Sequence, residues 1–356
     1  MKMKRSTLGF SILAASAAFV FSCSPKKVDP PLADTEVQSS IYASFANYVV
    51  SDIEMACSFM AENNYGTSNM FYGEYPGSSS GTSGTVVVTR DTTQNPANGN
   101  EDQMSMSWNN SKCLDGNFRD GSIFLYVPQI SNQRYAHEAL FQGRITFSTY
   151  KINGWTIELF NDAAPIYIYS TLKVGKYSNA TTNLTWRVAG KLKMTHPSDP
   201  NKNMVWDGEL FKTLKNTANP LVFPVSQKGA ITWSLAIIGY DGKVNGSGPQ
   251  IDEEGKVTPN VAYTMKIESP QQLIRDFQCA PDQVTGVTFT IQPGVVVKRG
   301  SEHHPFKAGV ASFTVGSGYP RQIYYGNEGD PLLAAQCDNV GEVMIKGISY
   351  RINFFQ

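Results

Sequence analysis

Beyond residue 66 the apolar residues recur with a period of two, and this alternation most narrows what the chain can fold into. Leu184, Trp186, Val188, Leu192 and Met194 alternate with Thr185, Arg187, Ala189, Lys191 and Lys193. Ile231, Trp233, Leu235 and Ile237 form a second such row, and Val261, Tyr263, Met265 and Ile267 a third. Successive side chains of a strand point to opposite faces, so these rows predict half-buried antiparallel strands, apolar toward a core and polar toward water. Residues 142–150 and 155–160 predict a hairpin across Asn153-Gly154, where a tight turn requires positive φ. Val343 and Ile345 sit on the opposite parity to Ile348, Tyr350, Ile352 and Phe354, which predicts a bulge at Gly347. The segments 85–90, 122–128 and 165–174 are apolar on both parities and predict central strands.

One stretch breaks the rule of two. Thr35-Glu36-Val37-Gln38 fits a capping box. Val37, Ile41, Phe45, Tyr48, Val49, Ala56 and Phe59 follow at nearly helical spacing until Asn63-Asn64 and Gly66. A helix from about Glu36 to Glu62 is predicted, with an apolar stripe for a sheet to cover. The expected fold class is therefore all-β, mainly antiparallel and sandwich-like, with one long N-terminal α-helix packed on it.

The first residues are not part of that fold. Lys2, Lys4 and Arg5 form a basic start, and Leu8 to Phe21 is apolar but short of the ~20 residues that span a bilayer. The stretch ends in Val20-Phe21-Ser22-Cys23, which resembles the lipobox of bacterial lipoproteins. The resemblance implies cleavage before Cys23, palmitate-type acylation of that residue and anchoring in a membrane. With Ser24 next, it implies sorting to the outer membrane of the cell envelope. Residues 1–22 are then a signal peptide, 23–34 a lipidated, Pro-rich tether and 35–356 the β-rich domain. The resemblance covers residues 1–23 alone.

Loss of Lys2, Lys4 and Arg5 leaves 27 basic against 30 acidic residues, a formal charge of −3. The longest basic run, Lys26-Lys27, lies in the tether, so the charge pattern argues against a nucleic-acid partner, which needs a basic stripe. Setting Cys23 aside leaves Cys57, Cys113, Cys279 and Cys337, an even set that suits two disulfides in an oxidising envelope. Three pairings are open. Cys57–Cys113 and Cys279–Cys337 are favoured because each staples one end of the chain.

Motifs for chemistry are sparse. Gly77-Ser78-Ser79-Ser80-Gly81 matches a nucleophile elbow by letter but lacks the strand before and helix after that would expose the serine. Ser148-Thr149-Tyr150-Lys151 and Ser170-Thr171-Leu172-Lys173 lie in period-two segments, which point the Ser and Lys to opposite faces. His137 begins a zincin-like run, but Phe141 stands where a second ligand belongs. Two weak metal sites remain. His303-His304 is an incomplete ligand pair, and the Gly-rich stretch from Asp241 to Glu254, with Asn245 and Asp252, has a calcium-like oxygen supply against the plainer reading of an acidic hairpin loop.

Aromatic residues number 19 Phe, 17 Tyr and 5 Trp. Two groups fall in Gly- and Pro-rich surroundings where stacking on a sugar or gripping a peptide is the alternative to packing: Tyr65, Phe71, Tyr72 and Tyr75, then Tyr319, Tyr324 and Tyr325. No catalytic set emerges. The sequence is read as a lipid-anchored, non-catalytic binding module for a glycan, peptidoglycan or an envelope protein partner. A lipid or hydrophobic-ligand carrier with a curved sheet is the alternative, with a hydrolase or an outer-membrane barrel behind it.

Overall fold

The structure, a computed structural model, describes residues 35–62, 86–91, 101–113, 117–128, 141–161, 165–170, 185–215, 237–252, 254–268, 271–276, 288–292, 295–298, 306–325, 340–345 and 347–353. Among the described residues, helix α1 (Thr35–Glu62) is followed by seventeen strands. Fifteen of them join one antiparallel sheet, and β12 (Thr288–Gln292) pairs with β13 (Val295–Lys298) as a separate hairpin. The expected class, antiparallel β with a single N-terminal helix, is what the chain adopts.

The path begins with β1 (Val86–Asp91), β2 (Glu101–Lys112), β3 (Phe118–Pro128) and β4 (Gln142–Ile152). The next position is shared. Strand β5 (Trp155–Leu159) pairs with one end of β4 and β6 (Ile166–Ser170) with the other, and both pair with β7 (Thr185–Thr195). Strands β8 (Met204–Leu214), β9 (Ile237–Ile251) and β10 (Val257–Ile267) follow in order, with β11 (Leu273–Asp276) also on β9. The path ends through β14 (Gly309–Val315), β15 (Arg321–Tyr325), β16 (Val340–Ile345) and β17 (Ile348–Asn353).

The sheet curls around α1, so the core lies between its halves with the helix as filling. Successive helical residues advance by 100°, and α1 meets the sheet on several sides. Trp155 of β5 packs on Tyr42 and Phe45. Trp206 of β8 donates its indole N–H to Asn47 Oδ1 at 2.8 Å. Tyr325 of β15 shares a 2.7 Å hydrogen bond with Ser44. The expected one-sided stripe is corrected by this: from Ala43 to Ser58 every residue of α1 is buried. Such a helix needs partners for its polar residues as well as its apolar ones.

Those partners are charged. Asp52 accepts from Arg119 Nη2 at 2.9 Å through both oxygens, from Arg119 Nε at 3.2 Å and from Arg275 Nη2 at 3.2 Å. Glu54 meets Lys212 at 2.9 Å, both side chains fully enclosed, and the ammonium also reaches Ser58 Oγ at 3.2 Å. Two acid–base clusters thus key the helix to β3, β11 and β8.

Curvature comes from glycines at inward positions. Gly190 of β7 pairs with Gly208 of β8. A Cβ on Gly190 would stand 2.8 Å from the Ile166 side chain, and one on Gly208 would stand 2.8 Å from Lys243 O. With no inward side chain the sheet bends toward the core there, the role glycine kinks play in closed or coiled sheets.

Several local expectations hold and others change. Asn153 and Gly154 take φ 51° and 82° and close the β4–β5 hairpin as predicted. Gly347 is no bulge: with φ 78° it belongs to a two-residue turn, and Ile345 pairs with Ile348 across the β16–β17 hairpin. The parity change at Gly347 is the turn itself. Among the described residues β1, expected to be central, pairs only with β2. The predicted strand at 231–237 lies outside the described residues except for its last position.

Candidate outer-face binding site

Strands β3 and β6 flank β4, and their outward parity explains why both were apolar on two faces. Inward go Ile123, Leu125 and Val127 of β3 and Ile166 and Ile168 of β6, all buried. Outward go Phe124 and Tyr126 of β3 and Tyr167 and Tyr169 of β6, all half-buried. Arg144 stands between them on β4, its guanidinium 4.0 Å from the centre of the Tyr126 ring. Arg187 of β7 lies 5.0 Å from the Tyr169 ring, and the Tyr167 and Tyr169 rings are 5.7 Å apart. Cations over aromatic faces hold both groups in place.

Register makes this patch one line. Tyr126 opposes Arg144, Arg144 opposes Tyr167, Tyr167 opposes Ala189, Ala189 opposes Glu209, and Glu209 opposes Lys243. A single row of outward residues therefore crosses β3, β4, β6, β7, β8 and β9.

Midway, the row enters a groove. Where β5 stops and β6 begins, Pro165 borders a shallow depression of about 510 Å³ that the inward bend at Gly190 and Gly208 leaves. Ala189 and the two glycines form its floor, and Lys191, Asp207, Glu209, Lys243 and Asn245 complete its lining. The volume is within the ~300–1,000 Å³ usual for small-ligand sites. Along the row and groove the charges are mostly matched: Lys191 pairs with Asp207 at 3.3 Å, Arg187 with Glu209, and Arg144 with Glu101 at 2.5 Å. The site offers ring faces, hydrogen-bonding groups and little net field.

The residues singled out from the sequence fall elsewhere. Cys57 and Cys113 are both buried, and no disulfide joins them where a Cys57–Cys113 bridge was favoured. They serve different neighbourhoods. Cys57 lies near Glu54 and Lys212, and burial foremost, then Glu54, pushes its thiol well up. Cys113 donates to Ser111 O at 3.5 Å, at the end of β2. Tyr325 is buried in the core and bonded to Ser44. Tyr324 donates to Gln322 on the outer side of β15, and Tyr319, 81% exposed, sits in the turn before it. The three tyrosines do not form one cluster.

The Asp241–Glu254 stretch is corrected from a loop to strand β9 for most of its length, because its glycines mark a crowded sheet rather than a turn. A Cβ on Gly242 would fall 2.1 Å from Glu209 O, and one on Gly246 would strike the Tyr263 ring. Asp241 accepts from Gln272, and Asn245 Oδ1 accepts from Thr264 at 3.3 Å. Asp252 accepts from the backbone N–H groups of Glu254 and Lys256 in the β9–β10 turn. At ~3.3 Å per residue Asp241 and Asp252 are at opposite ends of one strand and cannot share an ion. Among the described residues no group of three His, Cys, Asp or Glu side chains is arranged to hold a metal. Cys23, Tyr65, Phe71, Tyr72, Tyr75, Cys279, His303, His304 and Cys337 lie outside the described residues.

The doubly apolar segments of β3 and β6 carried the signal for the outer row, since aromatic residues on the second parity of two strands flanking a third form a surface. Comparison with protein-family models, with curated proteins and with solved structures finds no match.

Proposed function

We propose that this chain is an envelope lipoprotein, acylated at Cys23 and displayed from the outer membrane, whose β-rich domain is a non-catalytic glycan-binding module. The carrying observation is the outer row of ring faces and matched charges that runs into the Gly190–Gly208 groove. Sugars are amphipathic: their C–H faces stack on aromatic rings while their hydroxyls need donors and acceptors, and this strip supplies both. Tyr126 and Tyr167 give the rings, and Glu209, Asn245 and Lys243 the polar contacts.

The carrier alternative is less favoured because α1 occupies the concave space that acyl chains would need. The barrel alternative is less favoured because the outward face of β7 and β8 carries Lys191–Asp207 and Arg187–Glu209 pairs, which a lipid-facing band excludes.

Two experiments test the reading. Metabolic labelling with radioactive palmitate is expected to mark the wild-type chain and not Cys23→Ala; label retained in Cys23→Ala refutes the anchor. Detergent-solubilised full chain on an oligosaccharide array is expected to bind, and Tyr167→Ala/Tyr169→Ala to lose that binding while keeping the wild-type urea midpoint. At ~0.5–1.5 kcal/mol per ring contact, each tyrosine accounts for roughly 2- to 13-fold in affinity. Unchanged binding by the folded double variant refutes this site.

A further inference from the structure

We infer that the ligand is a polysaccharide chain bound along its length, lying across the strands, and not a terminal sugar held in a pocket. The inference rests on the glycan reading and adds the geometry of recognition. Six directly opposed residues, Tyr126, Arg144, Tyr167, Ala189, Glu209 and Lys243, form one row on consecutive sheet positions. Strands lie ~4.8 Å apart, so the row extends ~24 Å, enough for several pyranose rings in line and too long for one.

Its chemistry varies along that length in the way a chain reader requires. At the β3 end Tyr126 and Tyr167 offer rings on either side of Arg144, whose guanidinium packs on Tyr126 and pairs with Glu101. In the middle Ala189, Gly190 and Gly208 present backbone and no bulk, so a ring can settle into the bend. At the β9 end Glu209, Lys243 and Asn245 supply an acceptor, a donor and an amide.

Charge selects the class of polymer. Along the row and its groove Arg144, Arg187, Lys191 and Lys243 face Glu101, Glu209 and Asp207, four cations against three carboxylates. Polyanions such as nucleic acids need a run of uncompensated cations to displace counterions. This strip favours a neutral or weakly charged chain whose faces stack and whose edges hydrogen-bond.

The test is calorimetry on the full chain in detergent with two ladders: β-1,4-linked N-acetylglucosamine oligomers and β-1,4-linked glucose oligomers, each of two, four and six residues. In the ladder that binds, the Kd is expected to fall about tenfold or more from two to six residues as successive positions are engaged. Tyr126→Ala and Lys243→Ala, at opposite ends of the row, are both expected to weaken the six-residue oligomer, and at most one of them the two-residue oligomer. Urea midpoints equal to wild type establish that both variants are folded. A Kd independent of length, or a two-residue oligomer weakened by both variants, overturns chain-wise binding and leaves glycan binding standing. No binding of either ladder overturns both.

Discussion

Replacing Asp52 by Asn keeps the shape of the side chain and removes the one charge on which Arg119 and Arg275 converge. All three groups are almost completely enclosed, with side-chain exposures of 1%, 0% and 7% for Asp52, Arg119 and Arg275. Stripping the partner from a buried charge costs ~3–5 kcal/mol, because the enclosed cations lose the counter-charge they share. Against a typical total of ~5–15 kcal/mol, this is a large part of the stability. Arg275→Met is the informative contrast. It removes a 3.2 Å bond to Asp52 and a 3.2 Å bond to Ser51 Oγ, yet leaves Asp52 closed on Arg119 through three contacts. Its expected cost is that of charge-assisted hydrogen bonds, ~1.5–3 kcal/mol. Urea unfolding followed by tryptophan fluorescence reads both, since Trp108, Trp186 and Trp206 are buried and shift on exposure. The order is the test: Asp52→Asn must cost more than Arg275→Met at unchanged urea slope. An Asp52→Asn variant within ~1 kcal/mol of wild type, or the reverse order, refutes the claim that Asp52 is the shared anchor.

Two further outcomes follow from the same structure. Gly242, at φ 143° with Glu209 O where a Cβ would stand, is expected to lose more than ~1 kcal/mol as Gly242→Ala. Gly316→Ala, strained in φ but facing open space, should lose less, and equal urea midpoints would refute the crowding argument. His196 Nδ1 accepts the backbone N–H groups of Ser198 at 3.2 Å and Asp199 at 3.1 Å, and its ring meets Trp155 edge-on. Desolvation first, then Lys202, lowers its pKa below the ordinary imidazole value of 6.5, against an opposing pull from Asp199. Folding therefore favours the neutral ring. Its contribution is complete above pH 6.5 and is lost as pH falls through the lower folded value, because the unfolded chain takes up the proton first. An NMR titration of His196 with a midpoint at or above 6.5 refutes this.

How far the fold can be read from sequence depends on whether each residue's role is local. Strands β7 and β10 and the Asn153-Gly154 turn are decided by alternation and positive φ, which neighbours along the chain reveal. The limits of α1 were equally plain, ending at Glu62 where the spacing ends. Its burial all round was not, because nothing local shows that Asn47, Asp52 and Glu54 meet Trp206, Arg119 and Lys212 from 159, 67 and 158 residues away. Gly242, Gly246 and Gly248 suggested a loop, since sequence alone does not separate a glycine needed for a turn from one needed for a close approach. The outer row was half visible: the second apolar parity of β3 and β6 could be counted, but not that β4 lies between them.

The acids and amides enclosed by the sheet also bear on how α1 travels. At ~1.5 Å per residue the 28-residue helix is ~42 Å long, more than the ~30 Å thickness of a bilayer's hydrocarbon core. Yet it is not apolar enough to cross one. Asp52 and Glu54 lie in its second half, and a single aspartate at mid-membrane costs ~2.5–3.5 kcal/mol on insertion scales. For a chain exported as proposed, α1 emerges before all its strands, and a wholly greasy core helix of that length would invite arrest in the inner membrane as a stop-transfer segment. In a chain so exported, the acids that dock Arg119 and Lys212 would also oppose that arrest.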